Sequence, residues 1–145
     1  MSIGWRHMLF REKIVDSLEG MKGLKMRSPQ TETYVKMFEA LGSKPTTITW
    51  GEAYTALQTG VVDGMETPLQ AGIDMKFAEV AKHWLLTGHM FSSITHMVNK
   101  NFFNGLPANV QKAVVEASKD AIDWSDPRAI EDEKTATETL KSKYG

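Results

Sequence analysis

The sequence predicts an α/β fold, and three observations predict it. Strand and helix signals alternate between residues 23 and 68. Glycine or proline punctuates each change, at Gly42, Pro45, Gly60 and Pro68. The three strand signals end on Arg27, Trp50 and Glu66-Thr67. Ligands of α/β sheets bind beyond the carboxyl ends of the strands. An arginine there is a candidate clamp for carboxylate or phosphate.

The elements follow in chain order. Residues 13–19 read as a short link that Gly20 terminates, since glycine suits a left-handed cap. Residues 23–27 form a strand that delivers Arg27 to a turn at Pro29. Tyr34, Val35, Phe38 and Leu41 have helical spacing over 31–41, and Gly42 stops that helix. Residues 45–49 are rich in β-branched side chains and read as a strand ending at Trp50. Ala53, Ala56 and Leu57 mark a helix over 51–59, and 61–65 is a third short strand. Leu69, Ile73, Phe77, Val80 and Trp84 predict one or two helices over 68–84. Residues 89–99 read as a strand through Met90, Ile94, Met97 and Val98.

Leu106-Pro107 opens a long helix, because proline is welcome in a first turn. Val110, Val114, Ala117, Ala121 and Trp124 line one of its faces. Asp126-Pro127 predicts a kink or break at 124–127, since proline removes a helix hydrogen bond and disfavours α geometry just before it. The charged tail over 129–144 reads as solvated helix.

Composition narrows the function classes. The 145 residues are 41% apolar and 24% charged, enough for one domain with a real core. Seventeen basic against eighteen acidic residues give a net charge of −1, which argues against a dedicated nucleic-acid binder. No stretch approaches the roughly 20 apolar residues of a membrane span. The absence of cysteine excludes disulfides and thiolate metal sites and leaves the compartment open. The four histidines lack metal-ligand spacing such as H-E-x-x-H, and no G-x-S-x-G, P-loop or dinucleotide fingerprint is present. No catalytic residue, metal or cofactor is predicted.

The motifs carry a resemblance. Met21-Lys22-Gly23-Leu24-Lys25-Met26-Arg27-Ser28-Pro29 is followed by Ala40-Leu41-Gly42 with Pro45-Thr46. Then comes Gly51-Glu52-Ala53-Tyr54-Thr55-Ala56-Leu57-Gln58-Thr59-Gly60-Val61-Val62-Asp63-Gly64-Met65-Glu66-Thr67-Pro68. In that order they resemble the signature of the DctP-type solute-binding proteins of tripartite ATP-independent periplasmic (TRAP) transporters. Gly4-Trp5-Arg6 upstream, and Leu86-Thr87-Gly88-His89 and Asn104-Gly105-Leu106-Pro107 downstream, extend the likeness over the whole chain.

The resemblance implies a type II periplasmic-binding-protein fold: a mixed sheet flanked by helices, with a long C-terminal helix. Family members have two lobes around a cleft. The chain resembles the second lobe, with the first mostly missing, so a fragment is expected. On that reading 1–92 is the ligand-binding lobe, 93–130 a strand and helix that pack on the first lobe, and 131–145 the start of a returning helix. Met1-Ser2-Ile3-Gly4-Trp5 has no signal-peptide pattern. A periplasmic location therefore refers to the full-length protein.

The resemblance also assigns roles. Arg27, the motif arginine, holds the ligand's carboxylate. Arg6 stands where some members have a second arginine facing the ligand, with one extra residue between the two. Trp50 replaces the usual phenylalanine and offers a flat wall for a carbon skeleton. Glu66-Thr67 replaces Glu-Asn, so a hydroxyl on a shorter arm stands where an amide donates. Gln30 follows the Arg27 turn and is the weakest candidate. His89 and His96 read as structural residues.

The expected function is reception of a small organic acid and its delivery to membrane permease subunits, with neither catalysis nor nucleic-acid binding. Two rivals remain open. One is a truncated fragment without ligand binding that self-associates as a homodimer by exchange of its C-terminal strand and helix. The other is an enzyme with an anion site at the strand tips.

Overall fold

The centre of the sheet comes from residues that the hydrophobic pattern leaves unassigned. In a computed structural model, which describes residues 1–144, Ser2–Phe10 form β1. β1 lies between β4 (Gly64–Pro68) and β5 (His83–Ser93), antiparallel to both. β2 (Lys25–Ser28) pairs in parallel with β3 (Lys44–Thr47) and with β4. The result is a five-stranded mixed sheet in the order β3-β2-β4-β1-β5. Met8 and Phe10 pack on one face and Leu9 on the other. A strand covered on both faces lacks the alternation that marks a half-buried strand.

One face carries Met8, Phe10 and Met26 and is closed by α1 (Leu18–Met21) and α2 (Glu32–Ala40) through Met21 and Phe38. The other carries Leu9 and Met65 and is covered by α3 (Ala53–Thr59) and α5 (Phe77–Val80) through Leu57 and Phe77. Burial of each phenylalanine, Phe10, Phe38 and Phe77, contributes about 1.5–3 kcal/mol. Beyond them, Leu69 of α4 (Leu69–Asp74) and Ala78 meet Ala136 and Leu140, which fastens α7 (Ala108–Thr139) to the lobe. A short α6 (Lys100–Asn104) precedes α7, and a π-helical turn, Leu140–Tyr144, follows it.

Several boundaries differ from the sequence expectation. The third strand of the motif spans 64–68 rather than 61–65. Gly60 closes α3 in the left-handed region, at φ 77°, and 61–63 are spent on the return, with Val62 inserted into the core. The ladder begins where Gly64 lets β1 approach: a Cβ there would stand 2.5 Å from the Leu9 carbonyl oxygen. β3 ends at Thr47, and Trp50–Glu52 is a 3₁₀ turn leading into α3. Trp84 belongs to β5, not to a helix. Pairing of His83 with Phe10 and of Trp84 with Leu9 overrides the helical spacing that Trp84 shares with Val80. The strand expected at 89–99 runs from 83 to 93 and stops where β1 starts, at the Ser2–Ser93 pair.

The break expected at 124–127 is absent, and α7 passes through Pro127 as one helix. Proline removes one backbone hydrogen bond. Side chains satisfy groups nearby: Arg128 Nη1 donates to the Trp124 carbonyl at 2.6 Å, and Ser125 Oγ to that of Ile122 at 3.2 Å. The Ser2 N–H donates to Asp126 Oδ1 at 2.7 Å and ties this turn to β1. The expected divisions after residues 92 and 130 fall at the end of β5 and inside α7. Among the described residues no helix is long and apolar enough to cross a membrane.

Candidate functional site

Strand direction gathers the candidate residues. β2, β3 and β4 are mutually parallel, so their carboxyl ends share one edge of the sheet. β1 is antiparallel to β4, so its beginning lies at the same edge, where Arg6 pairs in register with Pro68. Arg6 therefore joins the end of β4 although 60 residues separate it from Glu66.

Alternation divides the set between the two faces. Met26 and Gly64 face α2, so Arg27, Met65 and Thr67 face α3 and α5. Arg27 is 4% exposed, its Nε–H donates to the Ile48 carbonyl at 2.9 Å, and its guanidinium stands 5.5 Å from the centre of the Trp50 ring. No other hydrogen bond to protein is made by this guanidinium among the described residues. Trp50 is held edge-on against Phe77, with centroids 5.1 Å apart, and remains 38% exposed. Thr67 is buried, and its Oγ1 has no hydrogen-bond partner among the described residues.

Arg6 and Glu66 occupy the α2 face. The Arg6 Nε–H donates to Glu66 Oε2, and one Nη donates to Oε1 at 2.7 Å. The other Nη donates to Ser92 Oγ at 3.0 Å, and the guanidinium lies 5.5 Å from the Tyr34 ring centre. Arg6 is thus engaged through all three of its nitrogens, whereas Arg27 is engaged through Nε alone among the described residues. Gln30 is exposed in the turn after β2.

The two arginines differ electrostatically. Burial works against the Arg6 charge, but the hydrogen bonds and charge of Glu66 outweigh it and hold Arg6 above its ordinary value. Burial pushes Arg27 down; Glu66 offsets this in part, and the Arg6 charge adds to it. An anion beside Arg27 would relieve both effects.

His89, read from the sequence as a structural residue, also reaches this region. Its Nε2 is buried 3.8 Å from Glu66 Oε2 and has no hydrogen-bond partner among the described residues. Its Nδ1 lies 2.7 Å from Thr87 Oγ1. Spacing offers no signal for it, because a bulge in β5 sets where it stands. His96 is apart, against Ser118 at 2.6 Å. Among the described residues no three of His, Asp and Glu gather as metal ligands. Two hollows are bounded by other residues: one of about 820 Å³ between Trp5, Phe91 and α7, and one of about 530 Å³ between Met97, Phe103 and Val114.

Comparison with known proteins agrees with the motif resemblance. The family model described as DctP, bacterial extracellular solute-binding protein, family 7, matches residues 1–145. A solute-binding protein of Verminephrobacter eiseniae is 36% identical over 140 residues, 97% of this chain and 42% of that protein. The C4-dicarboxylate-binding periplasmic protein DctP of Rhodobacter capsulatus is 36% identical over 119 residues, 82% of this chain and 36% of that protein. The crystal structure of a TRAP periplasmic solute-binding protein from Polaromonas sp. JS666, bound to D-erythronate, matches with a TM-score of 0.92 at 29% identity. That match covers 99% of this chain and 48% of the other. The chain spans less than half the length of these relatives.

Proposed function

The chain belongs to the DctP family of bacterial extracellular solute-binding proteins, family 7, and on that premise we propose that it binds a small organic acid for a TRAP-type transporter. Arg27 grips the acid's carboxylate. Trp50 packs on the carbon skeleton, and the Thr67 hydroxyl donates to the ligand. Arg6 and Glu66 form the polar floor, with Gln30 at the rim. Residues 1–92 act as the ligand-binding lobe. Residues 93–130 form an arm that meets a companion lobe, and 131–145 return to the ligand-binding lobe. The bound acid is passed to membrane permease subunits from the periplasmic side, and no chemistry is done on it.

One observation carries this reading: the Nη groups of Arg27 make no hydrogen bond to protein among the described residues, although the residue is buried. A guanidinium fork of that kind matches a carboxylate bidentately. Arg6, engaged by Glu66 and Ser92, has less to offer.

The test is calorimetry with C4-dicarboxylates, aldonates and hexuronates on the wild type, Arg27→Ala and Arg27→Lys. Truncating one partner of a buried charge pair costs about 2–5 kcal/mol, so Arg27→Ala should weaken binding by about 30-fold or more. Arg27→Lys should recover only part of it, since lysine lacks the fork. Binding that survives Arg27→Ala unchanged would remove Arg27 from its role. Turnover of any of these acids would favour the enzyme reading instead.

A further inference from the structure

His7 and the bulge of β5 form a unit behind the arginine pair. On β1, Arg6 pairs with Met90 and Met8 with Leu85, so His7 alone stands opposite Leu86, Thr87, Gly88 and His89. Extra residues on one strand re-aim side chains, and such bulges recur beside binding sites. Gly88 sits in the left-handed region at φ 54°. Its N–H donates to His7 Nδ1 at 3.0 Å. Thr87 Oγ1 reaches the Arg6 carbonyl at 3.5 Å and His89 Nδ1 at 2.7 Å. His7 is 5% exposed, and its Nε2 lies 3.5 Å from Glu133 Oε1 of α7 without a hydrogen-bond partner among the described residues.

We propose that His7 is a positioning residue: its Nδ1 clamps the Gly88 amide, which fixes the β5 bulge and holds the His89 imidazole against the Glu66–Arg6 pair. The proposal rests on the acid-binding reading only in naming that pair as the floor of the site. The clamp has a defined protonation state. An Nδ1 that accepts from Gly88 leaves the single proton of neutral His7 on Nε2, toward Glu133. Protonation turns Nδ1 into a donor, which repels the Gly88 N–H. Glu133 and His89 are the titratable groups around His7. Glu66, Arg6 and His7 are those around His89.

Histidine and amide NMR on the ligand-free protein tests this. In the wild type, the Gly88 amide shift should titrate with the midpoint of His7. His7→Leu, which cannot accept, should speed Gly88 amide exchange at least tenfold and return the His89 midpoint toward its ordinary value. His7→Asn, whose Oδ1 stands near the place of Nδ1, should keep both close to wild type. A Gly88 shift that ignores His7 titration overturns the clamp, and needs no variant to fold. Unchanged exchange and an unchanged His89 midpoint in His7→Leu overturn it equally. Failure of His7→Asn alongside His7→Leu would reduce His7 to packing. Every readout is taken without ligand, so a failure of Arg27 in acid binding leaves these outcomes intact.

Discussion

Arg6 and Glu66 sit two positions out of register on neighbouring antiparallel strands and close a two-point ion pair across the sheet edge. The Glu66 side chain is 0% exposed and that of Arg6 only 13%. A buried pair is weak evidence for net stability, but breaking one is costly.

Arg6→Leu is therefore expected to destabilise the fold by about 3–5 kcal/mol, because it strands the Glu66 carboxylate. Arg6→Leu combined with Glu66→Leu should cost much less than the single change. Urea denaturation checks both. A double variant no more stable than Arg6→Leu would mean that the single change does not strand Glu66.

Gly64→Ala should destabilise by about 1–3 kcal/mol, the usual cost of overpacking a core. The new methyl would meet the Leu9 carbonyl oxygen at 2.5 Å and Phe10 Cδ1 at 2.9 Å, so β1 and β4 must part. An unchanged urea midpoint would show that the strands separate freely.

Acid should weaken the fold through two histidines. Burial is the main cause that holds both His7 and His89 below their ordinary value of 6.5, against partial compensation by Glu133 and Glu66 respectively. The unfolded chain then takes up protons that the folded chain refuses. Stability from the neutral rings is whole above about 6.5 and is lost as pH falls from there toward the folded values. Urea midpoints should drop on going from about pH 7.5 to about pH 5.5, and His7→Asn should flatten the drop. A wild-type midpoint that rises on acidification contradicts this.

Pro127→Ala should stabilise α7. The helix already runs through this position, and alanine is favoured over proline in a helix interior by about 3 kcal/mol. A gain of about 1 kcal/mol or more in the urea midpoint analysis is expected, since part of the benefit is lost to the freer unfolded chain. A loss of stability would indicate that α7 needs the ring at this turn.

Self-association is expected from the arm. Met97 is 88%, Phe102 64%, Val115 58% and Trp124 62% exposed along α6, α7 and the segment before them. Uncovered apolar patches of this kind favour association, and β5 is an edge strand. The exchange expected from the sequence, of strand and helix together, has no bend at Pro127, where α7 is unbroken; a pivot in the link over 94–99 would exchange α6 and α7 and leave β5 in place. Light scattering should give a mass that rises with concentration, and Val115→Lys with Trp124→Lys should lower it. A monomer at every concentration contradicts the exchange.

The sequence by itself determined the α/β class, α2, α3, the start of α7 and the family. Each of these is written in local spacing or in a motif of ordered residues: Phe38 with Leu41, Ala53 with Leu57, the run from Gly51 to Pro68. Arg27 and Trp50 were legible as neighbours because successive parallel strands end on the same edge. Tertiary structure alone decided the rest. β1 escapes period-two patterning because His7, Met8, Leu9 and Phe10 are buried on both of its faces, and Trp84 follows a ladder with Leu9 against its own helical spacing. The meeting of Arg6, Glu66 and His89 depends on β1 running opposite to β4 and on a bulge in β5 that His7 faces. Strand direction and register are set by partners far along the chain, so no local window of the sequence contains them.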